Sequence, residues 1–132
     1  MHRAELLVNL FSDYLKLTAI HMTDPTEKTL FEKIIAREIP ANFVHEDETC
    51  VAIKDIAPKA PVHYLIIPRK PIPGVHMLED EDWPTVLHLF QVAKKLAERD
   101  GCEGYRLQFN VGEKGGQEVP HLHLHLMGWL GQ

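Results

Sequence analysis

His121-Leu122-His123-Leu124-His125-Leu126 decides the reading of this chain. In an extended strand successive side chains point to opposite faces. Three imidazoles therefore fall on one face and three leucines on the other, with neighbouring imidazoles roughly 6.5 to 7 Å apart. The leucines can enter a core while the histidines project together into a site. A helix would scatter the same six residues around its circumference. We read a strand over His121 to Met127.

Imidazoles gathered in this way suit phosphorus chemistry. A neutral ring can attack phosphorus, and a protonated one can donate to a phosphoryl oxygen or a leaving group. Two other readings stay open on the residues alone: histidines merely satisfied by hydrogen bonds, and a metal site, since His-x-His on a strand also presents ligands. Glu118 is the only carboxylate nearby in sequence to complete such a site. Directly before the strand, the loop from Asn110 to Pro120 contains Gly115 and Gly116, whose backbone can approach an anion closely.

The rest of the chain supplies a scaffold. Phe43 to His45 and Cys50 to Lys54 read as short strands joined by a polar turn, and Val62 to Ile67 as an apolar strand between prolines. A fourth strand spans Tyr105 to Asn110. Asp24-Pro25-Thr26-Glu27 offers a cap, a first-turn proline and a capping-box glutamate for a helix carrying Leu30, Phe31, Ile34 and Ile35 and stopping before Pro40. A longer helix runs from Asp82 to Gly101, its apolar stripe formed by Val86, Leu89, Phe90, Ala93, Leu96 and Ala97. The fold class expected is α+β, a five-stranded antiparallel sheet with two main helices. Residues 1–23 form an N-terminal extension, helical over about 4–18, and 24–132 the domain proper. Leu6, Leu7, Leu10, Phe11, Tyr14 and Leu15 would give that helix its packed face, dispensable for the chemistry.

Composition narrows the function. Of 132 residues, 45% are hydrophobic and 25% charged, the balance of one globular domain. A formal charge of −5 with no basic run gives no general attraction to nucleic acid or anionic membrane. Two distant cysteines, Cys50 and Cys102, make neither a disulfide framework nor a zinc knuckle. With no signal-peptide pattern and no bilayer-length apolar run, the cytoplasm is the default location.

The triad followed by Met127-Gly128 resembles the signature of the histidine-triad (HIT) superfamily. Lys54-Asp55-Ile56-Ala57-Pro58 through His63 to Pro68, the loop Asn110 to Val119, and Phe31 to Pro40 resemble its Hint branch. The likeness covers residues 27 to 129. It implies that His123 is the nucleophile, transiently nucleotidylated, that His121 orients it, and that His125 contacts the phosphoryl group. His63 is implied as a fourth family histidine. Asn110, Gly116, Gln117 and Glu118 are implied around the phosphate, Asp55 on the ribose hydroxyls, and Phe31, Ile34, Ile39, Ile53 and Ile56 around the base. Glu118 stands where many members of the branch carry Ser or Thr. Trp129 is expected to take space that a longer tail shapes in some relatives.

The function implied is hydrolysis of purine nucleoside 5′-phosphoramidates, with no cofactor or metal and by a homodimer. That dimer is expected to join through the Tyr105 to Asn110 strand and the stripe of the long helix. Diadenosine polyphosphate hydrolysis is the alternative enzyme, and nucleotide binding by an interaction protein the alternative class. His45, His76 and His88 have no role in the resemblance and read as surface or boundary residues.

Overall fold

The computed structural model describes residues 28–131. The expected N-terminal helix and the capping residues Asp24, Pro25 and Glu27 lie outside them.

Five strands form one antiparallel sheet in the order β1-β2-β3-β5-β4. They are β1 (Phe43–Glu46), β2 (Cys50–Lys54), β3 (Val62–Pro68), β4 (Cys102–Gln108) and β5 (Leu124–Leu130). Helix α1 (Leu30–Ile35) precedes them, and α2 (Trp83–Arg99) sits between β3 and β4. The α+β expectation holds.

Both sheet faces are covered, which is why every residue of β3 is buried. On one face Val86, Leu89, Val92, Ala93, Leu96 and Ala97 of α2 pack with Tyr64, Ile66, Leu122, Leu124 and Leu126. On the other, Leu30, Phe31 and Ile34 of α1 meet Val51, Ile53, Leu65, Ile67 and Val119. Tyr64 is pinned from its far end, its hydroxyl donating to Asp100 Oδ2 at 2.5 Å at the C-terminal end of α2. Gly101 (φ 76°) then reverses the chain into β4, as the sequence predicts for that glycine.

Two expectations need correction. Helix α1 starts at Leu30, because Thr29 is its cap: Thr29 Oγ1 accepts from the Glu32 amide and Glu32 Oε1 accepts from the Thr29 amide. It ends at Ile35, four residues before the expected stop, with Arg37 in the left-handed region at φ 64°. The last strand starts at Leu124, not His121. The His121 amide closes a tight turn onto the Val119 carbonyl and the Leu122 amide bonds to the carbonyl of Ile72, so no ladder forms there. Most of the α2 stripe packs on its own sheet, and the large apolar side chains of α2 left outward are Trp83, Leu87 and Phe90.

Leu124 is fully buried at the centre of the first cluster. Leu124→Ala should lower unfolding free energy by about 2–5 kcal/mol, the usual range for a truncated core leucine. A urea midpoint within error of the parent would contradict this assignment of the core.

Candidate active site

The alternation read from the sequence survives the shorter strand. Leu122, Leu124 and Leu126 enter the core under α2, while His121, His123 and His125 face the side where Phe31 lies. The Phe31 ring meets His123 edge-on at 4.8 Å and His121 at 6.0 Å. His63 reaches the same site from β3, with Met127 opposite it across the sheet and Leu65 against His125 two pairs along, on the same face.

Main-chain partners assign a tautomer to each ring. His123 Nδ1 lies 2.7 Å from the carbonyl oxygen of His121, so Nδ1 carries the proton and Nε2 keeps a free lone pair. His121 Nε2 donates to the Pro68 carbonyl at 2.8 Å, and its Nδ1 accepts from the Thr29 hydroxyl at 3.2 Å. The Lys59 amide donates to His63 Nδ1 at 3.1 Å, so the His63 proton sits on Nε2. From there it faces His125 Nδ1 at 3.0 Å and Asp55 Oδ2 at 3.4 Å. His125 therefore carries its own proton on Nε2, a buried atom with no partner among the described residues.

Burial dominates the acid–base behaviour of the group, because a charged ring is costly to desolvate. It lowers His121 and His123 below the usual 6.5, against the opposing pull of the Pro68 and His121 carbonyls. His63 is lowered by burial despite the Asp55 carboxylate. His125 is pushed down to about 4, first by burial and then by the charges that His123, His63 and Lys59 would carry. At neutral pH all four rings are uncharged.

His63, His123 and His125 line a cleft of about 590 Å³ together with Asp55, Ile56, Asn110, Gly116 and Glu118. An apolar slot opens beside it, lined by Phe31, Ile34, Ile39, Ile53 and Ile56. Phe31, Asp55, Ile56 and Leu65 border both spaces. The slot thus gathers every residue expected around a base, and Asp55 stands at the passage between slot and cleft. His121 does not line the cleft; it lies fully buried behind His123.

The glycine loop works differently from its expected role. The amides of Gly115, Gly116 and Gln117 are spent on carbonyls of Gly112 and Glu113 inside the turn. Gly116 (φ 87°) makes that turn possible but offers no free amide. Of the loop residues on the cleft, Glu118 and Val119 keep amides with no partner among the described residues. Glu118 is exposed although it borders the cleft. The Gln117 side chain is not on the cleft. Its amide donates to the carbonyls of Pro73 and Val119 and accepts from the Gly112 amide. Asn110 is held between Gln108 and the Gly116 carbonyl.

Sequence reasoning missed Thr29, Lys59, Arg106, Gln108 and Met127. Thr29-x-x-Glu32 was legible as a capping box, though not as support for His121. Met127 and Trp129 continue the same period of two past His125, and both line the cleft. Arg106 and Gln108 follow from register, opposite Met127 and His125. Nothing local to Lys59 announces its amide as the partner of His63. Asp55, His63 and His125 offer ligand atoms within 4.8 Å of one another, so the carboxylate that could complete a metal set is Asp55 rather than Glu118.

A family model described as scavenger mRNA decapping enzyme C-term binding matches residues 28–131. The purine nucleoside phosphoramidase of Escherichia coli K12 is 46% identical over 104 residues, covering 77% of this chain and 87% of that protein. An uncharacterized HIT-like protein of Synechococcus elongatus is 48% identical over 78% of this chain and 91% of its own. Among solved structures, a HIT family hydrolase from Clostridium thermocellum superposes with a TM-score of 0.75 at 45% identity, over 77% of this chain and 90% of that one. One from Legionella pneumophila gives 0.74 at 48%, over 76% and 92%.

The lowered rings couple stability to pH in one direction. The unfolded chain takes up protons near 6.5 while the folded rings resist them, so acid favours unfolding. Stability should fall as pH drops below 6.5 toward the lowered values, and nitrogen-15 NMR should show His123 neutral at pH 6.5. A His123 midpoint at or above 6.5 would contradict the buried neutral site.

Proposed function

Because the chain belongs to the histidine-triad family, we propose that it hydrolyses purine nucleoside 5′-phosphoramidates through a nucleotidyl intermediate on His123. The observation that carries this reading is the bond from His123 Nδ1 to the His121 carbonyl, which leaves Nε2 as an uncharged nucleophile at the cleft. The slot of Phe31, Ile34, Ile39, Ile53 and Ile56 suits a flat base, and Asp55 a pair of ribose hydroxyls. The 46%-identical phosphoramidase supports the choice of leaving group.

The steps balance as follows. Nε2 of His123 bonds to phosphorus while the phosphorus–nitrogen bond breaks, and Nδ1 keeps its proton on the His121 carbonyl as the ring becomes cationic. The phosphoryl anion raises the proton affinity of His125, which takes a second proton from solvent, gives its Nε2 proton to the departing amine and so returns to the neutral ring. Water next attacks phosphorus and its proton returns to His125, so the phosphorus–Nε2 bond breaks and the nucleotide leaves. Amides of Glu118 and Val119 supply donors for the phosphoryl oxygens.

A metal reading has its own support in the convergence of Asp55, His63 and His125. Against it, the lone pair of His63 Nδ1 is taken by the Lys59 amide, a main-chain donor that cannot turn away. Among the described residues no helix is long and apolar enough to cross a membrane. We place the protein in the cytoplasm, as a homodimer joined along β4. That edge strand is largely exposed, and Tyr105, Phe90, Trp129 and Leu130 leave large apolar groups there and nearby.

His123→Ala should abolish turnover of an adenosine phosphoramidate, by several orders of magnitude, with circular dichroism unchanged. Chelation should leave the parent rate intact. Equal rates for parent and variant would remove His123 from its role, zinc-specific recovery after chelation would favour the metal, and AMP binding without turnover would favour a binding protein. Diadenosine polyphosphates in the same assay test the alternative substrate. Light scattering should give twice the 15.1 kDa chain mass, and a monomer at micromolar concentration would refute the dimer.

A further inference from the structure

A second convergence of ligand-type side chains lies on the α2 side of the sheet, away from the cleft. Asp47 forms the β1–β2 turn with one carboxylate oxygen, Oδ1, which accepts from the amides of Thr49 at 2.7 Å and Cys50 at 2.8 Å. The turn requires nothing more. Yet Oδ2 is met by His45 Nε2 at 2.7 Å, by His88 Nε2 at 2.7 Å and by the Cys50 thiol at 3.6 Å. His45, Asp47 and Cys50 come from the hairpin and offer ligand atoms within 4.8 Å of one another. His88 comes from α2, 41 residues away in sequence from Asp47.

We propose that His45, Asp47, Cys50 and His88 form a zinc site that fastens the β1–β2 hairpin to α2. Two imidazoles, a carboxylate and a thiolate are a donor set that zinc accepts in tetrahedral geometry. They suit it better than calcium or magnesium, which prefer oxygen. Bonds of about 2.0–2.1 Å would set the nitrogen and oxygen ligands roughly 3.3 Å apart, so the present contacts to Asp47 have to open by roughly 0.6 Å. His88, outside the three residues whose ligand atoms all lie within 4.8 Å of one another, has to swing inward. Room exists for that, since the side chains of His45, Asp47 and His88 are 29%, 27% and 34% exposed. Cys50 is fully buried at the base, and the thiol proton leaves to solvent as sulphur bonds to the ion. Arg69, the nearby cation, is engaged by the Asp47 main-chain carbonyl at 2.8 Å. The site is separate from the nucleotide cleft, so its metal is structural.

The test uses the whole chain stripped of metal and then titrated with Zn²⁺, with Co²⁺ as a spectroscopic substitute. One zinc per chain, a raised melting temperature and a cobalt–sulphur charge-transfer band absent from Cys50→Ser are expected. His45→Ala/His88→Ala should weaken zinc by at least the 10- to 100-fold that loss of even an outer-shell partner costs. Turnover should be the same with and without zinc. If the double variant does not fold, His88→Gln on the half-exposed helix face gives the same readout with the turn intact. No stoichiometric zinc, a cobalt form without the sulphur band, or an affinity unmoved by these variants would overturn the site. In the last case Asp55, His63 and His125 would hold the ion.

Discussion

A buried imidazole keeps one tautomer only where a partner fixes which nitrogen carries the proton, and for three of the four rings here that partner is the chain's own backbone. The carbonyls of His121 and Pro68 and the amide of Lys59 each hold one ring in one tautomer. Main-chain groups cannot rotate away as side chains can, so the protonation pattern is as rigid as the sheet and the loops bonded to it. The free lone pair of His123 Nε2 is thus a property of the fold. It also explains why the sheet needs cover on both faces: water reaching the rings would compete for the same carbonyls.

The sheet's two faces divide the labour. One is closed by α2 and supplies the cohesion, with Leu124 and Leu126 among its contributors from β5. The other is closed only in part, by the short α1 and the residues around it, which leaves the apolar slot and the cleft open side by side. A single segment, residues 121–127, serves both, since its period of two sends alternate side chains each way.

That period is why so much was legible from the sequence. Alternation of His and Leu fixed which residues face the site, and continuous burial of β3 followed from Val62 to Ile67. Local capping was harder to read: Asp24-Pro25 and Thr29-x-x-Glu32 both offer plausible starts, and only the bonds between Thr29 and Glu32 decide where α1 begins. The strand boundary at Leu124 depended on Ile72, an irregular partner 50 residues away from Leu122 that no periodicity announces. The loop misled for a related reason. Glycines reveal that a backbone can approach an anion, but not whether its amides are already bonded. His88 meeting Asp47 is legible only in three dimensions, which is how two histidines read as surface residues come to share one carboxylate.

Gln117 ties Gly112 and Val119 of its own loop to Pro73 of a distant segment. All of these bonds lie within the protein, so the loop is braced by the chain's own groups. Ordering a loop on binding commonly consumes a share of the interaction energy through lost conformational freedom. Here that entropic penalty falls on folding instead. A nucleotide entering the cleft can spend its contacts on affinity and on reaching the transition state.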